Sequence, residues 1–167
     1  MKSVTSLKGG EIFAIPLFVS DILDTKSFSR EKFEDRGAEF AFCRVISNRQ
    51  GGGIFIEVFD LIGGLETDLK SIINSQRLFR PISITGLGIG KKRWKKLFVQ
   101  EPYDKESDSN YSKIQLVLGF ANHLRLWQNG VEQPISVQDA ETYESWDVWR
   151  ASHLEERIIK ALNYQSA

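Results

Sequence analysis

Apolar residues fall in short runs along this chain, separated by polar, glycine-bearing breaks, and most runs have the length of a strand. The first, EIFAIPLFV after Gly9-Gly10, carries β-branched and aromatic residues on both alternating faces and reads as a buried strand. Pro16 removes one ladder donor, which predicts an edge position or a bulge there. Residues 20–39 (SDILDTKSFSREKFEDRGAE) have mixed charge and no period. They read as a long loop, with a helical turn expected around residues 30–34. Two β-rich runs, FAFCRVIS at 40–47 and IFIEVFD at 54–60, flank the polar turn NRQGGG and form the strongest hairpin signal in the chain. In the second run Ile54, Ile56 and Val58 share one face and Phe55, Glu57 and Phe59 the other, so both faces are expected to be at least half covered.

Further on, Leu65, Leu69, Ile72 and Ile73 lie at helical spacing and predict a short amphipathic helix over 66–74. A short strand at 82–85, a glycine turn or bulge at 86–90 and a strand at 94–100 follow. Residues 101–112 (EPYDKESDSNYS) are acidic and turn-rich, the best candidate for a mobile loop. Strands are expected at 113–120 and 124–128, before a turn at Asn129-Gly130. Two capping boxes, Ser136 with Asp139 and Ser152 with Glu155, mark helix starts, since the serine accepts from an exposed backbone N–H and the carboxylate favours the positive helix end. Leu154, Ile158, Ile159 and Leu162 form one apolar stripe, so the chain closes with an amphipathic helix that a sheet must cover. The expected fold is α+β: a strongly bent antiparallel sheet or small SH3-like barrel, with a short middle helix and a C-terminal amphipathic helix. No repeat or linker interrupts residues 1–167, so a single domain is expected.

Charge narrows the function. The 22 Lys and Arg balance the 22 Asp and Glu, which excludes a globally basic nucleic-acid binder and a highly charged disordered chain. A domain of this size buries roughly 70% of its unfolded surface and needs no disulfide or metal for stability. The one cysteine, Cys43, argues for a reducing compartment, and no apolar run approaches the roughly 20 residues of a membrane helix. A cytoplasmic protein without contact with a membrane is the expectation. The two histidines, His123 and His153, and Cys43 have no metal-ligand spacing. The segment Gly86-Leu-Gly-Ile-Gly90-Lys91-Lys92 lacks the spacing of a phosphate loop. No catalytic residue, cofactor or metal is therefore expected. Lys91, Lys92, Arg93, Lys95 and Lys96 surround Trp94, as a nucleic-acid patch would arrange them or as lysines guarding a solvated strand edge with the indole turned inward. Carboxylates gather at Glu101, Asp104, Glu106 and Asp108 beside Tyr103, and at Asp139, Glu141, Glu144 and Asp147 beside Tyr143 and Trp146. Such charges could serve a hydrolase, but no nucleophile or positioned partner accompanies them. An acidic, aromatic-anchored face that captures a basic protein is the sharper reading.

Gly10-Glu-Ile-Phe-Ala-Ile-Pro-Leu17, Ala41-Phe-Cys-Arg-Val-Ile46 and Ile56-Glu-Val-Phe-Asp60 resemble the pattern of the immunity protein 26 family. The Trp94 strand, Leu124-Arg-Leu-Trp127 and the helix Leu154-Glu-Glu-Arg-Ile158 fall in the expected order, so the resemblance covers most of the chain. It implies an antidote, encoded beside a polymorphic bacterial toxin, that neutralises the toxin by tight one-to-one binding. No catalytic residue carries over. The chain departs from the pattern at Ala41-Phe42-Cys43, where a glycine-rich strand is usual, and in the length of the 20–39 loop. The functional expectation is toxin neutralisation through the two acidic stretches, whose carboxylates can mimic the phosphate backbone that a nuclease toxin expects. The 20–39 loop is the rival surface. A nucleic-acid module using residues 91–96 is the runner-up function, and a hydrolytic enzyme ranks third.

Overall fold

Strict alternation in three consecutive strands organises the molecule. The computed structural model describes residues 6–49 and 52–165; residues 1–5, the middle of the expected hairpin turn at 50–51, and 166–167 lie outside them. Strands β1 (Glu11–Pro16), β2 (Phe40–Asn48) and β3 (Ile54–Gly63) are antiparallel neighbours, with β2 and β3 forming the expected hairpin. Two further strands flank them: β4 (Ile82–Ile84) pairs with β3, and β5 (Lys95–Val99) pairs with β1. A second sheet holds β6 (Gln115–Leu118), β7 (Arg125–Gln128), β8 (Val131–Pro134) and β9 (Glu144–Ser145) in the order β8-β7-β6-β9. Strand β10 (Val148–Trp149) returns to the first sheet, whose order is β10-β4-β3-β2-β1-β5. Among the described residues five α-helices complete the fold: α1 (Leu69–Ile73), α2 (Leu87–Gly90), α3 (Lys105–Ser109), α4 (Val137–Ala140) and α5 (Ala151–Leu162). The architecture is the expected α+β class with a bent sheet. Both sheets stay open, so the barrel variant does not form, and β9 and β10 add parallel pairings at the margins that alternation alone does not reveal.

One face of the central sheet presents Phe13, Ile15, Ala41, Cys43, Val45, Ile54, Ile56 and Val58, and is covered by Ile89, Trp94, Leu154 and Ile158. The apolar stripe of α5 is thus the lid expected of it. The other face is divided. At one end Ile12, Phe40, Phe42 and Phe59 pack with Ile72 of α1. At the other end Ile46 and Phe55 meet Ile114, Leu116 and Trp127 of the second sheet. Between the two patches stand Arg44 and Glu57, directly opposite each other across β2 and β3.

Several local expectations are corrected. Pro16 ends an interior strand rather than an edge; it lies beyond the residues that pair with β5, and the irregularity in that ladder falls at Ile12/Phe13. No helix forms at 30–34. The middle helix is shorter than 66–74 because Asp68 caps it, accepting from the Ser71 amide at 3.1 Å. Residues 87–90 form a helical turn, α2, rather than a sheet bulge. Ser136 caps α4 as expected, accepting from the Asp139 amide at 3.0 Å. The second box fails: α5 begins two residues earlier than a Ser152 cap would place it, Arg150 is its cap position, and the Ser152 amide donates to Asp24 Oδ1 at 3.0 Å.

Candidate partner-binding surface

Residues 101–112 are tied to the central sheet by hydrogen bonds. Glu57 is buried, and its carboxylate accepts from Arg44 Nε and Arg77 Nε at 2.9 Å each and from the Ser109 hydroxyl. Arg44 reaches further, donating to Gln100 Oε1 at 2.8 Å and to the Asp108 carbonyl at 3.0 Å. Arg77 donates to the Ser109 carbonyl, and the Tyr103 and Ser109 hydroxyls are 2.7 Å apart. Every member of this buried network is satisfied, which is the condition under which such networks rigidify a fold. It bolts α3 to the central sheet. Burial pushes the Tyr103 phenol up to about 12, with the nearby Glu57 charge adding to the effect against the Ser109 hydrogen bond, so the ring is neutral and structural.

The carboxylates of this stretch remain outside. Asp104 caps α3, accepting from the Glu106 amide at 2.8 Å, and Asp108 accepts from the Asp104 amide at 2.8 Å. Glu106 accepts from the Ser112 amide at 2.8 Å and from its hydroxyl, and those bonds lower its pKa. Glu101 faces Lys8 across 3.2 Å in an exposed pair. In the second stretch Asp139, Glu141 and Asp147 are exposed. Glu144 is tied to Arg157 of α5 at 2.6 Å, and the Arg80 guanidinium lies 5.9 Å from the Tyr143 ring centroid. Trp146 is half-buried against Phe55 and Trp127, and its indole N–H donates to the Gly52 carbonyl at 3.1 Å. Charge is thus presented at both stretches, while Tyr103, Glu144 and Trp146 are engaged within the fold.

Lys95 and Lys96 lie on β5, an edge strand, as the second reading of the basic cluster expects. Trp94 turns inward, but Arg93 is wholly buried beside it. The guanidinium grips Glu155 of α5 through Nε to Oε2 at 2.8 Å and Nη2 to Oε1 at 2.7 Å, and Trp94 Nε1 donates to the same carboxylate at 2.9 Å. Arg93 also donates to the carbonyls of Val19, Ile22 and Leu23. Burial raises the Glu155 pKa against the opposing pull of Arg93. Lys95 donates to the Phe28 carbonyl at 2.9 Å and is held below the usual lysine range by burial and then by the Lys32 charge. Lys96 pairs with buried Glu11 at 2.9 Å. Three of the five cations are therefore spent on the fold and on fastening the 20–39 loop. Sequence reasoning missed Arg93 and Glu155 as a pair, although Glu155 shares the α5 stripe with Ala151 and Ile158 at helical spacing.

Among the described residues no group of three His, Cys, Asp or Glu is placed to hold a metal ion. Burial raises the pKa of the Cys43 thiol, so it stays protonated and unreactive. The buried polar groups hold layers of the fold together. The chain belongs to the Immunity protein 26 family, whose model matches residues 8–123. That membership supports an immunity role with a cognate toxin as partner. The match stops before β7, so Leu124–Trp127 and the terminal helix, which the sequence resemblance included, lie beyond it. No curated protein and no solved structure matches the chain.

Proposed function

We propose that this protein neutralises a cognate toxin in the cytoplasm by direct one-to-one contact, without a catalytic step or cofactor of its own. The family match over residues 8–123 carries the reading. Exposed Asp104, Glu106, Asp108, Asp139, Glu141 and Asp147 support it, because unopposed charges at a rim steer a basic partner and raise its association rate. A nuclease with a cationic cleft suits such a face.

The test is co-expression with the product of the adjacent gene, followed by binding kinetics on the purified pair. Charge reversal at Asp139, Glu141 and Asp147 is expected to slow association while leaving the thermal midpoint unchanged. Glu144 and Trp146 are unsuitable for this purpose because their substitution would disturb the α5 contact and the second sheet. Full protection and unaltered association with all three charges reversed would remove the acidic face from the proposal. The nucleic-acid reading is weaker, since Arg93, Lys95 and Lys96 are committed to partners inside the molecule.

A further inference from the structure

A cleft of about 480 Å³ opens between residues 20–25 and the first turns of α5, away from the Arg44–Glu57 network. Three carboxylates line it, those of Asp21, Asp24 and Glu156. The side chains of Asp21 and Glu156 are exposed and make no ion pair or hydrogen bond among the described residues. Asp24 is different. Its side chain is 10% exposed, its Oδ1 accepts from the Ser152 amide and lies 4.0 Å from Arg93 Nη1, and its Oδ2 is buried with no hydrogen-bond partner among the described residues. A buried carboxylate oxygen lacking a donor is costly, and a cation brought to it recovers that cost. The opposing charge in the cleft is the Arg150 guanidinium, which sits 3.1 Å from His153 Nε2. The positive end of α5 is already answered by Asp24, and Arg93 behind it is shared between Glu155 at 2.7 Å and Asp24 at 4.0 Å. With Glu155 and Arg93 included, four carboxylates stand against two guanidiniums, which leaves the cleft acidic. Leu23, 77% exposed, adds apolar surface on the same wall.

We infer that this cleft receives a long cationic side chain, arginine or lysine, from the toxin. Such a side chain matches both features, with methylenes against Leu23 and a charged head among the carboxylates. The inference takes its partner from the neutralisation reading. It also gives the 20–39 loop a role beside the acidic stretches: the fold holds this part of the loop in place through Arg93, so little ordering is required on capture.

Two experiments decide it. N-acetyl-arginine methylamide titrated into the ¹⁵N-labelled protein is expected to shift the Leu23, Ser152 and His153 amides saturably, while its neutral citrulline counterpart leaves them unmoved. The Asp21→Asn/Glu156→Gln double variant, with an unchanged thermal midpoint, is expected to lose the arginine shifts and to release the toxin encoded by the adjacent gene about tenfold faster. Equal shifts with citrulline, or wild-type dissociation in the double variant, overturn the inference. If arginine saturates the cleft but the wild-type protein does not bind that toxin at all, the neutralisation reading fails and the cation specificity stands.

Discussion

Arg93 has no contact with solvent, and a guanidinium can occupy such a place only with its charge matched and its N–H groups accepted. Arg93→Met leaves Glu155 charged and buried and is expected to cost about 3–5 kcal/mol in urea unfolding. The double variant Arg93→Met/Glu155→Leu is expected to recover much of that loss, short of the wild type because the Trp94 indole N–H then has no acceptor. Equal stability of the single and double variants would mean that the pair is not coupled. A second expectation concerns Glu106, whose pKa the Ser112 hydroxyl and amide depress. A depressed carboxylate binds protons less readily folded than unfolded. Its contribution is therefore present above the ordinary glutamate value and fades as pH falls through the lower folded value. Carboxyl NMR is expected to place its midpoint below that of Glu106 in Ser112→Ala. At this scale the exposed charges were legible from composition, whereas the partners of the buried ones were not: Arg93 and Glu155 are separated by 62 positions, and no local pattern joins them.

Elements were legible in proportion to their length and regularity. The β2–β3 hairpin follows from alternation alone, and the stripe of α5 follows from helical spacing over its 12 residues. Helices α2, α3 and α4 have four or five residues, too few to show a period, and tertiary contacts or caps set them. The stacking of the second sheet on Phe55 was hidden because alternation says a face is covered, not by what. Ile158 is fully buried beneath α5, and Ile158→Ala is expected to destabilise the fold by about 2–4 kcal/mol through the cavity it leaves. An unchanged thermal melt would show that the helix does not cap the sheet. Gly119 joins β6 to the next turn with φ at +93°, and an added Cβ would stand 2.2 Å from the His123 carbonyl oxygen. Gly119→Ala is accordingly expected to cost more than about 1 kcal/mol, measured by the same melt.

For the whole molecule, balanced charge and the internal use of Arg93, Lys95 and Lys96 set a limit on nucleic-acid affinity. Labelled oligonucleotides are expected to bind weakly, without sequence preference, and to dissociate as salt rises. Submicromolar binding at physiological ionic strength that is lost with Lys95→Ala/Lys96→Ala would restore the alternative. No helix among the described residues is long and apolar enough to cross a membrane. The family match ends at residue 123, yet the lid of the central sheet and the carboxylate that matches Arg93 both come from α5. Chain order thereby acquires a timetable. At ribosomal rates of roughly 5–20 residues per second, the 62 positions between Arg93 and Glu155 correspond to about 3–12 s of synthesis. During that interval Arg93 lacks its carboxylate and one face of the central sheet lacks its cover. A nascent chain of this family member therefore passes through a vulnerable adolescence in which chaperones have their opportunity, and that interval closes only when α5 has emerged to cover the sheet.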